Sequence, residues 1–181
     1  MILGLDVSTA CTGWCVLDMS GSLVSMGAIE LSSIKNTYKK AKLVRDKMSS
    51  LLIDYNIKSV YIEENLQSFR SGFSSARTLS TLARFNGIVS LICYETFNLD
   101  PIHINVNHAR RSLDIKIIRK KDGGQPTKAQ ILNWVSGEID FLWPTKILKS
   151  GPRKGLKITK DTCYDMADAY VIARAGILEC K

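Results

Sequence analysis

The sequence predicts an α/β fold, a five-stranded mixed sheet flanked by helices. Two observations carry that expectation. Three short strand-like runs open the chain with only short turns between them, Ile2–Val7, Thr12–Leu17 and Leu23–Leu31. After them the apolar period changes from two to the helical 3.6, and helical stripes alternate with two more β-branched runs.

Each element has its own justification. Strands joined by turns as short as those in the first third are most simply an antiparallel meander. From Thr37 to Tyr55, the residues Tyr38, Ala41, Val44, Met48, Leu51, Leu52 and Tyr55 form one helical stripe. Ser59–Glu63 is a short strand reached through that helix, so it is expected parallel to the first strand. Ser74–Phe97 reads as a long helix, dense in Leu, Ile and Phe. Gly87 within it lowers helix propensity by about 1 kcal/mol relative to Ala, which suggests close packing on the sheet or on a second subunit. Pro101–Val106 is the fifth strand, and Asn107–Leu113 is a candidate short helix. Lys128–Phe141 is a helix with Ile131, Leu132, Val135 and Ile139 on one face. Loops are expected at Gly123-Gly124-Gln125-Pro126 and Gly151-Pro152-Arg153-Lys154-Gly155 by their turn chemistry. A last helix, Thr162–Ala175, is expected to be capped by Asp161 or Thr162.

The 181 residues suit a single domain spanning 1–181, with neither an internal repeat nor a linker. Apolar residues at 45% and charged residues at 23% are ordinary for a globular protein. No apolar run approaches the roughly 18 residues of a membrane span. The N-terminus carries no basic region before its first strand, so the expected location is the cytoplasm rather than a secreted compartment. Five cysteines at scattered spacings, without a Cys-x-x-Cys pair, read as reduced apolar fillers rather than zinc ligands. His103 alternates with Ile102 and Ile104 and reads as structural.

The net charge of +8 is unevenly placed. Between Asn105 and Lys160 stand 13 Lys/Arg against 4 Asp/Glu, and the stretch from Thr145 to Lys160 has six basic residues and no acidic one. Clustering of this kind suits a polyanion, most plausibly nucleic acid. Within this region Lys120, Lys121, Arg153, Lys154 and Lys157 are the candidate nucleic-acid contacts on charge alone.

The acids point to chemistry. Asp6 ends the apolar part of the first strand, Glu63 and Glu64 end the fourth, and Asp165 and Asp168 stand three apart on the last helix. Unpaired carboxylates are costly in apolar surroundings. Residues three apart share a helix face, and adjacent central strands would bring Asp6 to the glutamate. Strand alternation puts Glu63 and Glu64 on opposite faces, and the pattern alone does not choose between them. Oxygen donors without Cys or His predict Mg²⁺, with Mn²⁺ able to substitute. Two such ions about 4 Å apart can activate a water and stabilise a leaving oxygen in phosphodiester cleavage.

These segments resemble RuvC-type Holliday-junction resolvases of the ribonuclease H-like superfamily, including viral versions. The resemblance rests on Ile2-Leu-Gly-Leu-Asp6-Val-Ser-Thr with Thr12-Gly-Trp14, on Val60-Tyr-Ile-Glu63-Glu64, and on Asp165-Met-Ala-Asp168-Ala, in family order. It implies Asp6, Glu63, Asp165 and Asp168 as the metal-binding catalytic set, with two ions per site, and Lys128 near the scissile phosphate. Through the resemblance Arg110, Arg111 and Lys128 join the candidate nucleic-acid contacts, because it places family basic residues in their segments. It also implies a homodimer that cuts two opposed strands of a four-way DNA junction by paired symmetric nicks. Leu66, with Phe69 and Phe73 nearby, falls where some relatives place an aromatic wedge. A ribonuclease H-like nuclease acting on flaps, other branched DNA or RNA-containing substrates would use the same acids. A silent DNA-binding module would be expected to have lost one of them. An actin-like or sugar-kinase-like ATP-binding protein needs two such folds, and this chain has room for one.

Overall fold

A computed structural model describes residues 1–64 and 76–179. Leu66, Phe69, Phe73, the first residues of the expected long helix and Cys180 lie outside them. Strands β1 (Ile2–Val7), β2 (Cys11–Leu17) and β3 (Leu23–Glu30) form the expected antiparallel meander. Helix α1 (Thr37–Asp54) follows, its first turn capped by Asn36, whose side chain accepts the Lys39 N–H at 3.0 Å. Strand β4 (Ser59–Glu63) then pairs parallel to β1, and β5 (Ile102–Ile104) pairs parallel to β4 after helix α2 (Ala76–Phe97). The resulting sheet has the order β3-β2-β1-β4-β5, with β1 at its centre.

The rest of the chain supplies α3 (Val106–Ser112), a 3₁₀ turn at Lys120–Asp122, α4 (Thr127–Glu138), a separate hairpin of β6 (Thr145–Ile147) and β7 (Lys157–Thr159), and α5 (Thr162–Glu179). Strand alternation divides the core in two. Leu3, Leu5, Val60 and Ile62 face α1 and α2, whereas Ile2 and Tyr61 face α5. Helix α5 is buried nearly all round, because the sheet covers one side and α3 and α4 pack on the others. Among the described residues no helix is long and apolar enough to cross a membrane.

Four expectations from the sequence need correction or addition. The α4 helix stops at Glu138 instead of Phe141: Ile139 is extended, and Phe141 and Trp143, edge-to-face with each other, pack against the α5 side of the core. The segment before α5 forms the β6–β7 hairpin, which is too short and too polar to show an alternating pattern. Asp161 does not cap α5 with its side chain, because its carboxylate accepts the Lys146 ammonium instead. Gly87 has open space around a would-be Cβ, so it mediates no close packing within the described residues. That role falls to Gly4 and Gly13.

Candidate metal centre and nucleic-acid face

The β1–β2 register sets Asp6 opposite Gly13, and the parallel β1–β4 register runs Leu5 against Ile62, so Asp6 and Glu63 follow next on adjacent strands. Both belong to the face turned towards α5, as Ile2 and Tyr61 do. Parity therefore selects Glu63 over Glu64 for this side of the sheet. The Glu64 carboxylate instead accepts from Asn105 Nδ2 at 3.3 Å. Glu63 is held from behind by Asn86 on α2, whose Nδ2 donates to the Glu63 carbonyl at 3.0 Å. Asn86 also meets His103 Nε2 at 3.2 Å, so His103 is structural, as its position in β5 suggested.

Helix α5 brings the other two acids. A Cβ on Gly13 would lie 2.0 Å from the Asp165 carbonyl oxygen, and one on Gly4 would lie 2.5 Å from that of Ala169. Only glycine lets the backbone of α5 approach the strands this closely. The helix consequently starts directly over the Asp6–Gly13 pair. Asp165 and Asp168 share its inward face, and Asp168 is only 6% exposed.

The electrostatics follow from this crowding. Burial raises the Asp6 carboxyl well above its usual range, and the charges of Glu63, Asp168 and Asp165 add to the effect. Burial, reinforced by Asp168, pushes Glu63 up to about 7. Asp168 is raised by burial as well, although Arg110 and Lys128 oppose the shift. Burial, with the charge of Asp165 beside it, pushes the Cys11 thiol far up.

Two cations stand at the cluster. Arg110 at the end of α3 places Nη2 3.4 Å from Asp168 Oδ1. Lys128 in the first turn of α4 places Nζ 3.7 Å from Asp165 Oδ1. Neither Asp6 nor Glu63 has an ion-pair partner among the described residues. The donor set is all oxygen and carries like charges that burial destabilises, so it fits a hard divalent cation, whose charge would relieve both penalties. Among the described residues no three acid, thiol or imidazole groups converge into a finished ligand shell as they stand.

The remaining expected contacts lie elsewhere. Arg111, Lys120, Lys121, Arg153, Lys154 and Lys157 are exposed and form no ion pair among the described residues. Arg153 and Lys154 sit at the tip of the β6–β7 hairpin, and Lys157 begins β7. Arg110 differs from these. Its side chain is 20% exposed and is turned inward onto Asp168. Sequence reasoning missed Gly4, Gly13 and Asn86. The two glycines, each set within a strand, were the one signal that could have revealed close helix packing. At the foot of the hairpin a cavity of about 360 Å³, lined by Cys11, Glu30, Lys146, Lys160 and Asp161, opens onto Asp165. There Lys146 and Lys160 pair with Asp161 and Glu30, so two of the six basic residues of the stretch are neutralised locally.

No family model matches the chain, and no curated protein matches it in sequence. Solved structures do. RuvC of T. thermophilus in complex with a Holliday junction substrate superposes with a TM-score of 0.62 at 14% identity, covering 99% of this chain and 94% of that one. The Thermus thermophilus RuvC structure gives 0.62 at 16% identity, over 99% and 95%. Ydc2, the yeast mitochondrial Holliday junction resolvase, gives 0.50 at 14% identity, over 97% and 77%. The chain shares the RuvC-type, ribonuclease H-like fold along nearly its whole length.

Proposed function

We propose that this chain is a structure-specific endodeoxyribonuclease that resolves four-way DNA junctions by metal-dependent phosphodiester hydrolysis. The observation that supports the reading is that Asp6, Glu63, Asp165 and Asp168, carried by three separate elements, lie close enough for charge among them to raise the pKa values of Asp6 and Glu63, in a fold shared with junction resolvases. Nothing about sheet stability calls for such a set, since buried carboxylates without partners oppose folding.

In this reading the four carboxylates hold Mg²⁺, two ions per site, and Mn²⁺ can replace it. When bound, the metal supplies an activated water and charge stabilisation at the leaving oxygen. The chain does the rest. Gly4 and Gly13 hold α5 close enough for its acids to meet those of β1 and β4. Lys128, 62% exposed at the rim of the cluster, is placed to take a non-bridging oxygen of the scissile phosphate. The exposed cations Arg111, Lys120, Lys121, Arg153, Lys154 and Lys157 bind the DNA backbone, which positions the substrate without reading its sequence. A homodimer would present two such sites to opposed strands and make paired nicks.

The test is cleavage of labelled four-way junction, flap, plain duplex and RNA–DNA hybrid with Mg²⁺, Mn²⁺ or EDTA. Metal-dependent nicks placed symmetrically across the junction are expected. Equal or better cutting of flaps or hybrids would keep the metal site but overturn junction resolution as the activity, and cutting in EDTA would overturn the metal site.

A further inference from the structure

Arg110 stands apart from the other basic residues, and its surroundings explain how. It is the last-turn residue of α3 that points into the protein, whereas its neighbour Arg111 points out to solvent. One guanidinium nitrogen reaches Asp168, itself nearly fully buried, and the Nε of the same group is buried with no hydrogen-bond partner among the described residues. A buried guanidinium donor left unpaired is costly and needs an explanation.

We infer that Arg110 is an internal counter-cation that competes with the divalent metal for Asp168. Before metal arrives, the guanidinium shares the charge of Asp168 and keeps that carboxylate turned towards α3. Metal binding disfavours the pair, because a divalent ion on the same buried carboxylate repels the guanidinium across a few ångströms of poorly screening protein. The guanidinium released in this way has five donors and a fixed positive charge, with Nε already free. The nearest incoming anion of matching geometry is a phosphate of the substrate strand. Arg110 is thus a positioning residue that links occupancy of the metal centre to capture of the backbone. The inference rests on the four carboxylates being a cation site, as proposed above.

The experiment measures Mn²⁺ and Mg²⁺ affinity by calorimetry without DNA, on the whole chain, for the native protein and for Arg110→Gln, Arg110→Lys, Lys128→Gln and Arg111→Gln. The pair opens at the expense of metal affinity, so Arg110→Gln is expected to bind Mn²⁺ about five- to tenfold more tightly than the native protein. Arg110→Lys should lie between the two. Lys128→Gln should change affinity less, since that lysine is well exposed and screened by water. Arg111→Gln removes the same charge from the same helix turn without touching an acid, and it should match the native protein. An Arg110→Gln affinity within twofold of native, or no different from Arg111→Gln, overturns the inference and leaves a merely structural ion pair.

A second readout does not depend on any variant folding. The Arg110 Nε–H resonance of the native protein should move on Mg²⁺ addition with the midpoint of the calorimetric titration. A stationary resonance overturns the inference. Native protein that binds no divalent cation removes the metal site and this inference together. Binding without a difference at Arg110 removes this inference alone.

Discussion

At the scale of single residues, charge decides the behaviour of the site. Asp6 sits in the central strand with its carboxyl raised by burial and by three neighbouring acids. Replacing it by Asn keeps the shape and removes one charge from the proposed metal site. Cleavage by Asp6→Asn is expected to fall by at least about 100-fold, with junction binding measured in Ca²⁺ or EDTA largely intact. Near-native cleavage would remove Asp6 from the site. Glu63 supplies a pH test. Its folded-state value of about 7 exceeds its ordinary 4.5, so between these limits the folded protein keeps a proton that the unfolded chain has released. Stability of the metal-free protein should therefore be highest below about 4.5 and decline as pH rises through about 7. Thermal melts in EDTA should show this decline, and Glu63→Gln should flatten it. If the proposed mechanism holds, cleavage draws on the ionised carboxylates and should rise over the same range, with added Mg²⁺ moving the rise to lower pH.

At the scale of elements, two features matter: how α5 meets the sheet and how the β6–β7 hairpin meets solvent. Gly13→Ala would drive a Cβ into the backbone of Asp165, which cannot yield without moving the first turn of α5. Overpacking of this kind costs about 1–3 kcal/mol. Gly13→Ala is expected to lower the melting temperature and to reduce cleavage further than the loss of folded protein explains. Gly137→Ala is the control. It lies exposed in α4 with open space around a Cβ, so it should leave activity alone and raise helix stability slightly. The hairpin prediction concerns charge. Replacing Arg153, Lys154 and Lys157 together by Ala should flatten the slope of log affinity for a junction against log salt by up to about 3, near 0.9 per lost phosphate contact. An unchanged slope would exclude the hairpin from the DNA face.

At the scale of the whole molecule, the proposed site supplies one set of acids per chain, whereas resolving a junction takes two cuts. With a chain mass of 20.2 kDa, sedimentation should give a species of about twice that mass. A cruciform in a supercoiled plasmid should be linearised within one binding event, without build-up of the nicked form. A monomeric species that nicks once and departs would refute the paired mechanism. The net charge of +8 adds that junction affinity as a whole should fall steeply with salt.

The sequence by itself determined the sheet order of the first four strands and the parallel return of β4, and it singled out Asp6, Asp165, Asp168 and a glutamate at the end of β4 as candidate site acids. Short turns force an antiparallel meander, a helical crossover forces a parallel strand, and carboxylates inside apolar runs are rare enough to stand out. Four things needed the tertiary structure. Strand parity relative to α5 chose Glu63 over Glu64, because the face that is buried depends on what packs there. Gly4 and Gly13 acquired their role only from the helix that presses on them. Basic residues alike in sequence divided into Arg110, turned onto Asp168, and the exposed remainder, because a side chain's environment is set by elements distant along the chain. The hairpin before α5 also emerged only in three dimensions, since strands of three residues are too short to carry a period and are held by Lys146–Asp161 and Lys160–Glu30 across the fold.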